Sequence, residues 1–203
     1  MKKLDLKKDF AVLYKATAKP AMIKVPKLRY LMIDGQGDPN TSKAFADAIT
    51  TLYGLAYTMK FMLKKGPEAI DYPVMPLEAV WWADDMIDFT QGNKAKWKWT
   101  AMIMQPPFIN AKMLKAAKDD LERKKKVLPA IYDVRLEDMS EGASAHILHV
   151  GPYATEGPTI AKLHAFIEEN GKSLRGKHRE IYLNDARRTA PEKLRTIIRQ
   201  PMG

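Results

Sequence analysis

The sequence contains no cysteine, which excludes disulfides and thiolate metal sites. It has no run of about 18 consecutive apolar residues, so no transmembrane helix and no membrane partner are expected. The opening residues Met1 to Phe10 carry lysines but no apolar core, so they do not read as a signal peptide. These absences fit a cytoplasmic protein. Familiar catalytic signatures are missing too. Among His146, His149, His164 and His178, no pair combines metal-site spacing with a third ligand. His146 and His149 differ by three within a strand-like run and so point to opposite faces. No serine stands in a nucleophile elbow. Gly35-Gln36-Gly37 lacks the third glycine of a dinucleotide fingerprint. Neither a metal nor a cofactor is expected.

What is present is a chain of 203 residues, 46% hydrophobic, long enough for one large domain or two small ones with a substantial core. The net charge is +10. A basic surface can recruit nucleic acid, but here the basic residues are scattered. The densest run, Arg123-Lys124-Lys125-Lys126, closes a predicted helix, where cations complement the dipole. With no recognition motif, nucleic acid is not the expected partner.

Residues 1–19 form a polar, lysine-rich lead-in, and the folded domain is expected at 20–203. Leu28 to Ile33 reads as a strand, followed by the turn cluster Asp34–Asn40. Thr41 or Ser42 can cap a helix over about 42–65, whose apolar residues recur at helical spacing and which Gly66-Pro67 ends. Strands follow at about 77–83 and 97–104, separated by a polar stretch at 84–93. A helix over about 107–126 links the halves, about 20–106 and 130–203. The second half repeats the order: strands at 133–136 and 145–150, a helix at about 157–170, then strands at about 178–184 and 193–200. The expected fold is α+β, with duplicated strand–helix–strand–strand units, an antiparallel sheet and helices on one face.

Within that frame Glu180 is the most informative residue. It sits in His178-Arg179-Glu180-Ile181-Tyr182-Leu183, and a carboxylate inside a half-apolar strand is costly to bury. Glu78-Ala79-Val80-Trp81-Trp82 has the same character, and each half closes on Gln-Pro, at Gln105-Pro106 and Gln200-Pro201. The echo suggests one acid per half and a ligand cleft between the halves. Alternation puts Glu180 and Tyr182 on one face, the open one if Ile181 and Leu183 pack under the helix. The same rule groups Glu78, Val80 and Trp82 and leaves Trp81 for the helix side. Against the pocket reading stands a structural ion pair of Glu180 with Arg179, Arg187 or Arg188. Trp82 and Trp99 have the flat apolar area that stacks on an aromatic ligand, or fills a core. Tyr53 and Tyr57, one helical turn apart, share a face and either edge the pocket or flank the core. Tyr153, after a Gly-Pro turn, is placed to cover the pocket mouth.

These segments resemble the GyrI-like small-molecule-binding proteins, whose duplicated strand–helix–strand–strand fold also forms the effector domains of multidrug-binding transcription regulators. The likeness rests on Leu31–Pro39, Tyr72–Trp82, Lys98-Trp99-Thr100, Leu148–Tyr153 and His178–Arg188, and covers about residues 20–203. Only about twenty residues precede it, so a stand-alone ligand-binding module is expected. The resemblance implies a second-half acid, here Glu180, that meets cationic or electrophilic aromatic ligands. Pro76-Leu77-Glu78 and Trp81-Trp82 extend the likeness to a stand-alone branch of detoxifying hydrolases, which open the cyclopropane of DNA-alkylating cyclopropanoids. Its implied chemistry is water addition to the cyclopropyl carbon while the ring aromatises. Glu180 would deprotonate the water, and a tyrosine hydroxyl (Tyr182 or Tyr57, with Tyr53 and Tyr153 also eligible) would donate to the carbonyl oxygen. Glu78, Trp82, Trp99, Tyr53 and Tyr153 would contact the ligand. A carboxylate desolvated among aromatics titrates higher than in water and can act near neutrality, for roughly 10²–10⁴-fold in rate. Two other functions fit the residues: a non-catalytic receptor that sequesters lipophilic cations, and a gyrase-inhibitor-like protein-binding module, whose DNA-mimic form the positive charge disfavours. A homodimer is compatible with all three.

Overall fold

The computed structural model describes residues 1–85 and 93–203. Of the polar connection expected at 84–93, residues 86–92 lie outside the described residues. In chain order the elements are β1 (Lys2–Lys3), α1 (Leu6–Asp9), α2 (Ala11–Tyr14), β2 (Ala21–Val25), β3 (Leu28–Gln36), α3 (Lys43–Lys65), β4 (Ile70–Asp71), β5 (Leu77–Trp82), β6 (Lys98–Gln105), α4 (Ala111–Arg123), β7 (Arg135–Met139), β8 (Gly142–Val150), α5 (Gly157–Glu169), β9 (His178–Tyr182) and β10 (Arg195–Pro201). The duplication is plain: β3, α3, β5 and β6 recur as β8, α5, β9 and β10. Every pairing between β2 and β10 described below is antiparallel.

The chain divides into two compact units, and they do not follow the halves of the sequence. The first comprises Met1–Asp9, Leu28–Met75 and Trp82–Met139. Here β3 is the central strand, paired with β6 on one side and β7 on the other. α3 packs on β3 and β6 and also meets α4. Its start is fixed by Ser42, whose hydroxyl accepts from the Phe45 backbone N–H and satisfies one of the orphan donors of the first turn. Its buried stripe is Phe45, Ala48, Leu52, Leu55, Ala56, Met59 and Leu63, and Gly66 follows its last residue. Asn110 caps α4 in the same way, accepting from the Met113 N–H.

The second unit comprises Phe10–Lys27, Pro76–Trp81 and Ser140–Gly203. Its strands run in the order β2, β8, β10, β9, β5. β5 joins it because four of its residues pair with β9, Glu78↔Ile181, Ala79↔Glu180, Val80↔Arg179 and Trp81↔His178. α5 begins behind a single tight turn at Tyr153–Thr155 and carries Pro158 in its first turn, where the missing N–H costs no intrahelical bond. Leu163 and Ile167 of α5 pack with Ala145, Ile147, Ile198 and Met202 on one face of the sheet. Full burial of each Leu, Ile or Met side chain here is worth about 1.5–3 kcal/mol.

Part of the lead-in at 1–19 is ordered against the second unit: Leu13 and Tyr14 are buried, and the Leu148 N–H donates to the Thr17 carbonyl. The segment at 21–25, which carried no strand signal in the sequence, pairs with β8 along its whole length.

Candidate functional site

Glu180 and Glu78 both lie in the second unit, on paired strands, and the register separates them. Directly opposed residues of an antiparallel pair share a face. Glu180 opposes Ala79 on β5 and Ile198 on β10. Because Ile198 packs with Leu163 and Ile167, Glu180 stands on the helix-bearing face. The condition under which Glu180 would line an open face, Ile181 and Leu183 packed under the helix, is not met.

On that face three side chains of β9, spaced two residues apart, form a chain of hydrogen bonds. Glu180 Oε1 lies 3.2 Å from His178 Nε2. Glu180 Oε2 accepts from the Tyr182 hydroxyl at 2.7 Å. The Tyr182 oxygen accepts in turn from Trp81 Nε1 at 3.2 Å. Both carboxylate oxygens are therefore engaged. Arg179 faces the other way, and Arg187 pairs with Asp185, so neither provides the structural ion pair that competed with the pocket reading. The Glu180 side chain keeps 14% exposure while His178 keeps 5%, so a ligand meets the carboxylate before the imidazole. Ala79, opposite Glu180, contributes only a methyl group, while Trp81, opposite His178, extends along the strand to the Tyr182 hydroxyl.

Tyr153 stands edge-on to Tyr182, ring centroids 5.6 Å apart and planes at 79°. It is 36% exposed. Burial, then the charges of Glu156, Glu180 and Asp185, push its phenol up to about 12. Burial and the adjacent Glu180 charge hold the Tyr182 phenol well above its ordinary value. Both hydroxyls keep their protons at neutral pH.

Glu78 is on the opposite face and is fully enclosed. It accepts from Arg179 Nη1 at 2.8 Å and from the Tyr14 hydroxyl at 2.6 Å. Arg179 Nε lies 3.1 Å from Glu141 Oε2, and Arg199 Nη1 lies 3.8 Å from the same oxygen. Arg199 Nη2 also donates to the Leu13 carbonyl. Two carboxylates and two guanidiniums thus neutralise one another beneath α2. That is what a buried charge requires, and it gives Glu78 structural partners on the closed face.

The remaining candidates are spread more widely. Trp82 is half-buried at the end of β5, and alternation sets it with Glu78 and Val80; its neighbour Trp81 is the tryptophan that reaches Tyr182. In the first unit, Trp99 is fully buried and edge-on to Phe45, with its ring against Gly35. A Cβ at Gly35 would come within 2.2 Å of that ring, so the pair interlocks within the first unit's core. Tyr53 and Tyr57 stack at 6.4 Å, and Tyr57 stacks on Phe61 at 6.3 Å, along an exposed flank of α3. His178 was missed as a site residue, although its signal was legible: it precedes Glu180 by two, as Tyr182 follows it by two. Among the described residues no group of three or more His, Cys, Asp or Glu side chains could hold a metal. No helix among them is long and apolar enough to cross a membrane.

The duplicated strand–helix–strand–strand fold is that of a small-molecule-binding class. Residues 18–202 match the model of the GyrI-like small molecule binding domain. The chain belongs to the GyrI-like family. The crystal structure of a hydrolase from Listeria innocua is 36% identical over the whole of both chains, with a TM-score of 0.87. An uncharacterized conserved protein from the same organism is 35% identical over 98% of this chain and 100% of its own, with a TM-score of 0.91. The EcmrR C-terminal domain, 11% identical over 91% of this chain and 97% of its own, has a TM-score of 0.55 and shares the fold. No curated protein matches the sequence.

Proposed function

We propose that this small-molecule-binding protein is a hydrolase of flat, electrophilic cyclopropanoid compounds, with Glu180 as the group that activates water. The observation that carries the reading is the carboxylate of Glu180, partly exposed, held at both oxygens and flanked by aromatic side chains. The hydrolase name of the Listeria innocua relative supports the reaction class. A base fixed in this way has little orientation left to lose when a water is presented to it.

In the reaction, the water oxygen attacks the cyclopropyl methylene as Glu180 removes its proton. The breaking carbon–carbon bond sends its electron pair into the dienone, which becomes a phenol once the carbonyl oxygen gains a proton. Tyr182 has its hydroxyl committed to Glu180 and serves to orient that carboxylate. Tyr153 is more exposed and its phenol is fully protonated at neutral pH, so it is the tyrosine suited to donate to the substrate oxygen. Tyr57 lies in the other unit, on the flank of α3, and is assigned no proton here.

Incubation with a cyclopropanoid DNA alkylator, with products followed by mass spectrometry, tests the reading. Multiple-turnover addition of one water, lost in Glu180→Gln, is the expected result. Compound that is bound but unchanged would make the protein a receptor that sequesters its ligand.

A further inference from the structure

Behind Glu180 lies the buried imidazole of His178, 3.2 Å from Oε1. We propose that His178 is the positioning residue of Glu180: its Nε2–H donates to Oε1 and holds the carboxylate, charged, toward the ligand. The inference rests on the proposed role of Glu180 in ligand binding and water activation, and it concerns a residue that touches neither water nor ligand.

The geometry is specific. A carboxylate at the middle of a strand has freedom about its side-chain torsions that one hydrogen bond does not remove. Here the Tyr182 hydroxyl holds Oε2 from one side along the strand and His178 Nε2 stands at Oε1 from the other. The carboxylate can only accept, so the nitrogen facing it carries the proton. That fixes the Nε2–H tautomer of a neutral His178 and makes the ring a donor in its charged form as well. His178 is the more buried partner, so it acts through Glu180 and does not compete with it for a ligand.

The surroundings leave this donor in charge. The group that faces it from α5 is His164, which burial and the proximity of His178 keep below its ordinary value, so it stays neutral near pH 7. Glu168 on α5 acts on His164 in the opposite direction. From β5 the opposed residue is Trp81, which does not titrate. Along β9, Arg179 points to the other face and into its own ion pairs. The hydrogen bond of His178 to Oε1 is therefore the contact on this side of the carboxylate that the proposal turns on.

The test uses the whole chain with His178→Ala and His178→Gln, each checked for a native melting transition. Gln supplies an amide N–H donor but does not titrate. With a cyclopropanoid substrate, His178→Ala should lose about 10²-fold in kcat with little change in KM, as a misplaced group does, and His178→Gln should recover most of it. Ethidium, a flat cation, gives a second readout. Its affinity should fall in His178→Ala and return in His178→Gln. Nitrogen-15 chemical shifts of His178 in the unliganded protein, which need no ligand and no activity, should show Nε2 protonated. An Nδ1–H tautomer would overturn the proposal, as would His178→Gln as impaired as a folded His178→Ala. Absence of turnover by the native protein would instead overturn the hydrolase reading and leave the tautomer and the ethidium affinities of the variants to decide the role of His178.

Discussion

Glu78 on β5 and Glu180 on β9 lie on paired strands of one unit, each beside aromatic residues, and the sequence treats them alike. The register offsets them by one residue, with Ala79 and not Glu78 facing Glu180. One residue of offset means opposite faces of the sheet. Glu78 is thereby delivered to Arg179 and Tyr14 beneath α2, and Glu180 to the α5 face between a histidine and a tyrosine. One carboxylate is neutralised by a cation and closed off. The other is held by donors that leave its charge unspent. A carboxylate available for ligands is distinguished by what fails to neutralise it.

The sharpest way to break this division is to remove each charge in turn. Glu180→Gln should lower turnover by about 10²–10⁴-fold, the size of general-base assistance, while its urea midpoint stays near that of the native protein. Glu78→Ala should do the reverse. It leaves Arg179 buried without one of its carboxylates, and breaking a buried pair costs about 3–5 kcal/mol. Equilibrium urea unfolding measures that loss, and turnover per folded molecule should survive it. Equal effects of the two substitutions on turnover would erase the distinction.

The closed face should also show itself through pH. His146 opposes Arg199 on the β8–β10 ladder, and its Nδ1 is buried with no hydrogen-bond partner among the described residues. Burial, then the Arg199 charge, lower its pKa from 6.5 to about 4. Above 6.5 it is neutral folded and unfolded and contributes nothing. As the pH falls toward 4 the unfolded chain takes up the proton first, so folding stability is lost, by roughly 3 kcal/mol once the folded pKa is passed. His146→Gln should remove that part of the acid sensitivity. Unfolding free energies at pH 7 and pH 4 check it, and an unchanged pH dependence in the variant would dismiss His146 as its source.

Much of the fold was legible because it rests on local signals. The stripe of α3 and its bracketing by Ser42 and Gly66 appear directly in the chain, and the structure places the helix at Lys43–Lys65. β9 was readable as a strand, and alternation alone brought Glu180 and Tyr182 together. What alternation cannot supply is which of two faces receives the helix, since that depends on how the chain crosses over between strands. The face of Glu180 therefore stayed conditional until the packing of Ile198 against α5 settled it. The partnership of Glu78 with Arg179 was hidden for a related reason: it depends on the register of strands 101 residues apart in sequence. Trp99 looked like a stacking platform because a sequence gives the area of a tryptophan but not its neighbours, and Gly35, which makes room for it, reads as a turn residue. The lead-in was illegible for lack of length. α2 spans four residues, too few for a helical period, and Tyr14 is recognisable only once its hydroxyl is seen on Glu78.

The smallest effect separates the two tyrosines of the ligand-facing side. Tyr182 donates to Glu180 Oε2, and burial followed by the Glu180 charge keeps its proton in place through neutral and mildly alkaline pH. Its contribution is one hydrogen bond to a charged group, so Tyr182→Phe should cost about 1.5 kcal/mol, or roughly tenfold in turnover. Tyr153→Phe removes the donor assigned to the substrate oxygen and should cost more in kcat than in ligand affinity. Because the Tyr153 phenol lies at about 12, the native rate should show no alkaline decline from this group below about pH 11. Steady-state kinetics of both variants across that range decide between them. If Tyr182→Phe matched Glu180→Gln while Tyr153→Phe stayed near native, the proton on Tyr182 would belong to the substrate. Glu180 would then be held by His178 alone, and the removal of His178 would become the larger loss.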